Sequence, residues 1–265
     1  MSCIFSGYFR RYKAGVWQRL SVVCDLSALT GNDLRHLPSP VQKYIHFTGA
    51  VGKPKIHNLR AVFSGSMKQK PGGNWMKIHS QQYNFFDDLA RLFYIRSKMF
   101  GIPFDGLHLY TGSHATMEIR IANLFTVADA RGEQMDQGET VTMFNDMCLL
   151  APATLIDKNI AWKEINGLAV EAEFTNGKNT IGATLCFDET GALTNFISMD
   201  RFLSSDGKTF LNYPWSTPVN AWKDSNGRKV PSYGEAIWQT PEGPFVYGRF
   251  DIGEIEYNLV EFRER

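Results

Sequence analysis

The 265-residue chain has only four cysteines, Cys3, Cys24, Cys148 and Cys186, and no two of them stand in a CxxC or other metal-type spacing. That excludes a zinc ribbon or a disulfide scaffold and predicts free, buried thiols. No GxSxG, HExxH, phosphate loop or GxGxxG opening a helix occurs, which argues against lipase-like, zincin and nucleotide-dependent chemistry. His57, His79, His108 and His114 fall on different segments without ligand spacing, so no metal and no cofactor is expected. No run reaches eighteen apolar residues, and no helix that spans a membrane is expected. The opening MSCIFSGYFRRYKAGVWQRL is too short in apolar residues ahead of its basic cluster for a secretory signal. As given, the chain is therefore expected to be cytoplasmic, unless a signal or anchor has been trimmed from it. No internal period is visible, which excludes a solenoid or propeller.

What is abundant is alternation. From about Leu59 to Tyr257, short runs of alternating apolar and polar residues follow one another, separated by Gly, Asn, Asp and Pro. The apolar sets are Leu59, Ala61, Phe63 and Met67; Phe93, Ile95 and Met99, opposed by Arg96 and Lys98; Met117, Ile119 and Ile121, opposed by Thr116, Glu118 and Arg120; Leu168, Val170, Ala172 and Phe174; and Ile181, Ala183, Leu185 and Phe187. Each such strand has one dry face and one wet face. Turn residues at Asn176-Gly177, Glu189-Thr190-Gly191, Asp206-Gly207 and Asn226-Gly227 make hairpins the natural connection. The predicted fold is mainly β (α+β), a curved antiparallel sheet or incomplete β-barrel. A helical preface over residues 1–54 precedes a single β domain over residues 55–265.

Three helices interrupt the pattern. Gly15 to Leu29 can form an amphipathic helix with Val16, Leu20, Val23 and Ser27 on one face, and a short helix starting near Pro38 carries Val41, Tyr44 and Ile45 inward. The third runs from about Asp136 to Ile156, with residues 138–156 assigned to it in the β domain. Its apolar Val141, Met143, Phe144, Met147, Cys148 and Leu150 surround a narrow stripe of Thr142, Asn145 and Asp146. A helix apolar over most of its circumference must be buried, so it is expected to plug the hollow of the sheet.

Three constellations could carry chemistry. Asn145 and Asp146 sit on the plug helix, where a desolvated carboxylate either anchors a structural network or acquires a raised pKa suited to acid–base work. Asp200 and Arg201 are adjacent in an apparent strand from Phe196 to Leu203, so one of the two charges looks inward, to be paired, with Asp146 as a candidate, or reserved for a ligand head group. Amphipathic side chains, among them Trp75, His79, Gln81, Gln82, Tyr94, His108, Tyr110, Trp215, Tyr233, Trp238 and Tyr247, suit the mouth of a ligand cavity and are equally normal in sheet packing.

Charge is divided along the chain. Residues 1–70 hold eleven Lys and Arg against Asp25 and Asp33, a balance of +9, and the remainder holds seventeen against twenty-five acids, a balance of −8. The basic front either packs on the acidic remainder or faces an anionic surface.

Several stretches resemble a bacterial family grouped as a domain of unknown function: LPSPVQKYIHFTGAVGK at Leu37 to Lys53, the strand ending in Gln81-Gln82, FGIPFDGLHLYTG at Phe100 to Gly112, GETVTMFNDMCLLAPATLID at Gly138 to Asp157, and NFISMDRF at Asn195 to Phe202. The resemblance implies a fold like that of lipoprotein carriers, a curved half-barrel with helices in its hollow, and brings no catalytic residues. The leading functional expectation is a binding protein for a lipid-like molecule held in the concave face, with Tyr94, Tyr110, Asn145, Asp146, Arg201 and Trp215 as the ligand-binding set. The first alternative is a hydrolase or isomerase acting on an apolar substrate with Asp146 as acid or base. The second is a module contacting a membrane surface or a partner through residues 8–19, where Tyr8, Phe9, Arg10, Arg11, Lys13, Trp17 and Arg19 interleave rings with cations. Nucleic acid is not expected, because the basic stretch is short and no recognised module accompanies it.

Overall fold

The structure is a computed structural model and describes residues 7–20, 25–99, 101–122, 124–204 and 209–264. Helix α1 covers Gly7–Leu20 and α2 covers Ser39–Phe47. A first antiparallel meander follows: β1 (Asn58–Met67), β2 (Met76–Phe85), β3 (Ala90–Met99), β4 (Ile102–Thr111), β5 (His114–Ile121) and β6 (Phe125–Ala130). Helix α3 (Glu133–Leu150) leads through a short 3-10 turn at Pro152–Ile156 into a second meander of β7 (Ile160–Asn166), β8 (Ala169–Asn176), β9 (Asn179–Phe187) and β10 (Leu193–Ser198). The short strands β11 (Phe202–Leu203), β12 (Leu211–Asn212), β13 (Trp215–Ser216) and β14 (Ala221–Ser225) precede the long C-terminal hairpin of β15 (Arg228–Thr240) and β16 (Gly243–Tyr257).

The strand order is β6-β5-β4-β3-β2-β1-β16-β15-β13-β10-β9-β8-β7, with β14 on β15 and β11–β12 forming a separate ribbon. The C-terminal hairpin thus joins the two meanders into one large curved sheet that does not close on itself. Its two edges, β6 and β7, are consecutive in sequence, so the chain must travel from one edge to the other between Ala130 and Ile160. An 18-residue helix rises about 27 Å. Laid across the hollow of a curved sheet, it makes that journey and buries its apolar surface at the same time.

The side of the sheet facing α3 is called the inner face here, and the side facing α1 the outer face. Val141, Met143, Phe144, Met147 and Cys148 are fully buried; Met143 packs with Tyr110 and Ala115, and the main core joins the other four to Phe174 and Ile181 in the second meander, Leu59, Ala61 and Phe63 in β1, and Val41, Tyr44 and Ile45 of α2. The predicted dry faces of β1, β8 and β9 are therefore the inner face. The Tyr44 hydroxyl donates to the Cys148 carbonyl at 2.6 Å, tying α2 to α3.

On the outer face, Tyr8, Tyr12, Val16 and Leu20 of α1 pack on Tyr83, Leu92, Tyr94 and Leu107. These four recur at a spacing of four, the stripe of a helix that lies flat on a surface. Three expectations need correction. The first helix begins at Gly7 rather than Gly15, residues 25–29 are not helical, and the expected Val23 lies outside the described residues. The plug helix ends at Leu150, because Pro152 cannot continue it and opens the 3-10 turn instead. In β5 the expected dry side chains Met117, Ile119 and Ile121 are only half-buried, whereas Glu118 is buried, because α1 covers its face and Arg11 meets it at 2.8 Å.

The Asn226-Gly227 turn closes β14–β15 with both residues at positive φ, as a tight hairpin of this kind requires. The expected turn at Asp206-Gly207 lies outside the described residues, as do Cys3 and Cys24. Cys148 and Cys186 are free thiols, and burial pushes both up from the ordinary thiol range.

Candidate functional site

Strand register decides what lies beneath α3. In β3 the side chains of Arg91, Phe93 and Ile95 share the inner face, opposite Asn84 and Gln82 of β2 and Tyr110 and His108 of β4. Arg91 thus enters an apolar layer, where an unpaired guanidinium would be costly. It is paired in full. Its Nε donates to Asp146 Oδ2 at 2.8 Å, one terminal nitrogen meets Glu139 Oε2 at 3.2 Å, and the other donates to Gln82 Oε1 at 2.9 Å. Asp146 Oδ2 also accepts from Gln82 Nε2 at 2.7 Å and Asn84 Nδ2 at 2.9 Å.

Glu139 and Asp146 lie seven residues apart, two helical turns, and so share one face of α3. Glu139 Oε1 lies 3.7 Å from the Arg201 guanidinium and 4.0 Å from His108 Nδ1. Arg201 in turn donates to Thr142 Oγ1 at 3.2 Å and to the Tyr247 hydroxyl at 3.1 Å, and sits over the rings of Trp215 and Trp238 at 4.6 and 5.6 Å. The Trp215 indole donates to the same Tyr247 hydroxyl at 3.1 Å. Two carboxylates, two guanidiniums and two indoles therefore form one network under the helix.

Burial alone would push both carboxyls up. For Glu139, His108, Arg91 and Arg201 overcome it and hold the group at about 2, whereas at Asp146 burial prevails and the direction is upward. The two groups therefore bend the pH dependence of stability in opposite directions. Because Glu139 is depressed below its unfolded value, the unfolded chain binds more protons, and its contribution is present above about 4.5 and lost as pH falls towards 2. Asp146, raised, acts with the opposite sign and partly offsets this loss. Chemical unfolding between pH 6 and pH 3, done on the parent and on Glu139→Gln, is expected to show a steeper acid loss in the parent, by an amount on the order of 2 kcal/mol. Parallel curves would remove Glu139 from the network.

Of the residues expected at a ligand site, the structure places Asp146, Arg201 and Trp215 in or against this network. Tyr110 is beside it, bonded to Thr140 Oγ1 and Asn176 Nδ2 at 2.7 Å each, and Asn145 donates to Thr217 Oγ1 at 2.7 Å. Tyr94 lies on the other face, against Phe9 and Tyr12 of α1. The pairing of Arg201 differs from expectation, since its acid is Glu139 and Asp146 belongs to Arg91. The strand containing Phe196 ends at Ser198, so alternation does not carry through to residues 200 and 201, and Asp200 instead accepts from the Gly182 amide at 2.6 Å.

Two hollows lie away from this network. A groove of about 1220 Å³ runs along the end of the sheet at the β1–β2 and β3–β4 hairpins, where Trp75, Met76, Ile78 and Phe104 supply apolar surface, Lys70, Lys77, Arg96 and Lys98 supply positive charge, and Asp105, opposite Arg96 in the ladder, supplies one carboxylate. A second hollow of about 220 Å³ shares His79 and Arg96 with it and continues along the outer face to Tyr94, Gln81 and Phe9. Trp75 is held at the rim by Lys68 and Arg249, 4.8 and 4.5 Å from its ring centre. Tyr94, set apart from the network, thus borders this open surface, together with Trp75, His79 and Gln81 of the amphipathic set expected at a cavity mouth. Among the described residues, no group of three or more His, Cys, Asp or Glu could hold a metal ion, and no helix is long and apolar enough to cross a membrane.

A family model described as a family of unknown function, DUF6544, matches residues 27–250. The chain belongs to this family. The DUF6544 match spans every member of the network under α3, whereas α1 precedes it. No curated protein matches the chain. Solved structures similar to this DUF6544 chain include a putative outer membrane lipoprotein-sorting protein domain from Vibrio parahaemolyticus, at 8% identity, covering 76% of this chain and 85% of that one, with a TM-score of 0.43. A DUF1329 family protein from Desulfovibrio piger matches at 9% identity over 83% and 92%, with a TM-score of 0.44. A LolA superfamily protein from Nitrosomonas europaea matches at 8% over 82% and 93%, with a TM-score of 0.40.

Two groups of residues escaped the reading of the sequence. Arg91 was legible in principle, since extending the alternation of Phe93 and Ile95 by one step places it on their side, where a buried acid must meet it. The cations of the groove were not, because they come from three strands whose ends meet only through register.

Proposed function

We propose that this DUF6544 protein binds an amphiphile with an anionic head, held in the groove at the hairpin end rather than beneath α3. The observation that carries this reading is the composition of the groove: apolar Trp75, Met76, Ile78 and Phe104 beside Lys70, Lys77, Arg96 and Lys98, four cations against the one carboxylate of Asp105, which faces Arg96 across the β3–β4 ladder. A hydrocarbon chain gains by leaving water along the first set, and a carboxylate or phosphate gains from the second. The volume is ample for a single-chain lipid, and binding sites of this kind are mostly apolar with a few convergent polar groups. The inner face is the weaker place for a ligand. Its centre is filled by Val141, Phe144 and Met147, and the head group that Arg201 could receive is already supplied by Glu139.

The acid–base alternative draws no support from the geometry of Asp146. Its Oδ2 accepts three hydrogen bonds from Arg91, Gln82 and Asn84, an arrangement that fixes a carboxylate as a structural acceptor.

The test is a titration of vesicle-free protein with palmitate below its micelle concentration, followed by displacement of the fluorescent fatty acid cis-parinarate. Saturable binding is expected, weakened roughly tenfold or more by Lys77→Glu with Lys98→Glu, as reversing two charges near an anionic head implies. Trp75→Ala is expected to weaken it further without changing the thermal midpoint. Absence of binding, or binding indifferent to these changes but lost in Arg201→Met, would overturn the groove as the site.

A further inference from the structure

The end of the sheet that holds the groove has a second property, which does not depend on anything occupying the groove. Three neighbouring hairpins turn there. Met67 pairs with Met76, Met99 with Ile102 and Ile121 with Phe125, and the Ala122 amide donates to the Pro103 carbonyl at 2.8 Å, so the β3–β4 and β5–β6 tips lie side by side. Four large apolar side chains project from these last two tips: Ile102, Leu124, Phe125 and Val127, with 49, 76, 67 and 53% of their surface exposed. Scattered apolar residues on a surface need no explanation, but four on two adjoining tips do.

Their electrostatic setting is one-sided. Residues 67–77, 97–104 and 119–128, which make up the three tips and their approaches, contain no Asp or Glu and carry Lys68, Lys70, Lys77, Lys98 and Arg120. The neighbouring turn of the β15–β16 hairpin differs in carrying an acid, Glu242. We propose that these tips dock on an anionic lipid bilayer, with Ile102, Leu124, Phe125 and Val127 entering the interface and the five cations lying at the level of the head groups. Apolar side chains gain by insertion at the boundary of the acyl region, and each cation adds attraction to an anionic leaflet. Tips that carry five cations and no acid are complementary in charge to such a surface, and the next acid along β4, Asp105, is buried and faces Arg96. It also relocates the membrane contact expected for residues 8–19. In α1 the rings of Tyr8 and Tyr12 are spent on the sheet, and Arg11 and Lys13 are paired with Glu118 and Glu264.

The experiment is co-sedimentation of the full chain with vesicles of phosphatidylcholine alone and of phosphatidylcholine mixed with phosphatidylglycerol. Binding to the mixed vesicles is expected, declining as salt is raised. Leu124→Asp with Phe125→Asp, and separately Lys98→Glu with Arg120→Glu, should each reduce partitioning roughly tenfold or more. Because Leu124 and Phe125 are exposed, the first pair should leave the thermal midpoint unchanged, and it should also leave palmitate binding in vesicle-free solution intact, which separates failure of docking from failure of the groove. No binding to mixed vesicles, equal binding to both compositions, or binding unchanged in both double variants would overturn the proposal. So would a concentration-dependent dimer in light scattering that the Leu124 and Phe125 changes disperse, since the tips would then belong to a second copy of the chain.

Discussion

Arg91→Met is expected to lower the stability of the protein by about 3–5 kcal/mol, as measured by urea unfolding at neutral pH. The size follows from what the substitution leaves behind. Arg91 makes direct contacts with both Asp146 and Glu139, and all three side chains are buried. With the guanidinium gone, Glu139 keeps Arg201 at 3.7 Å and His108 at 4.0 Å, but Asp146 keeps only the amides of Gln82 and Asn84. Two amide donors do not offset the desolvation of a carboxylate. Asp146, already pushed upward by burial, should then take up a proton, so the loss in Arg91→Met should shrink as pH is lowered from 8 to 5. Adding Asp146→Leu should restore much of the stability at neutral pH, because an apolar side chain in an apolar layer carries no charge to satisfy. A loss below about 1 kcal/mol for Arg91→Met would mean that the pair behaves as a surface ion pair does, and that water reaches it.

The same residues show where reading the sequence succeeds and where it stops. Of the residues that alternation assigns to the dry faces of β8 and β9, Val170, Ala172, Phe174, Ile181, Ala183, Leu185 and Phe187 are buried, because each strand has one covered face and a two-residue period records that directly, whereas Leu168 precedes β8 in the turn and is exposed. The plug helix was legible because a segment apolar on nearly every side has no alternative to burial, and its crossing follows from joining the two sheet edges. The β5 strand misled for the opposite reason. Glu118 reads as solvent-facing until α1 is laid on the outer face, and nothing in residues 114–121 announces the helix or Arg11. Partners of buried charges were the least legible feature. Asp146 and Arg91 are 55 residues apart and meet only once β2, β3 and α3 are in register, whereas a cation much nearer in sequence, Arg131, pairs with Asp129 and Glu118 instead. The groove and the apolar tips share this character, since their residues are unremarkable singly and acquire meaning from sheet order.

Phe144→Ala is expected to cost about 3–5 kcal/mol, the range for deleting a fully buried ring when the site cannot collapse. Collapse is prevented by the neighbours. Phe144 stacks on Phe174 of β8 at 5.1 Å between ring centres, meets Phe196 of β10 edge-on at 5.8 Å and lies 6.3 Å from Trp162 of β7, so three strands of the second meander frame the hole. The backbones of β8 and β10, held by ladders on both sides, cannot move in to fill it, and Phe144→Leu should lose less because it retains most of the volume. Hydrogen exchange in Phe144→Ala should rise first in β7–β10, and in Arg91→Met first in β2–β4, since the two side chains fasten α3 to opposite halves of the sheet. They stand on one rigid helix, with Phe144 only two residues from Asp146. If either fastening suffices to hold α3 in place, releasing both removes burial that neither single variant exposes, whereas if loss of one already frees the helix, the second change has less left to remove. The length of α3 and its single continuous core favour the second case, so the double variant Phe144→Ala with Arg91→Met is expected to lose clearly less than the sum of the two single losses, by more than the roughly 0.5 kcal/mol scatter of independent sites. A fully additive double variant would mean that the helix is anchored independently at the two meanders and does not leave the hollow as a unit.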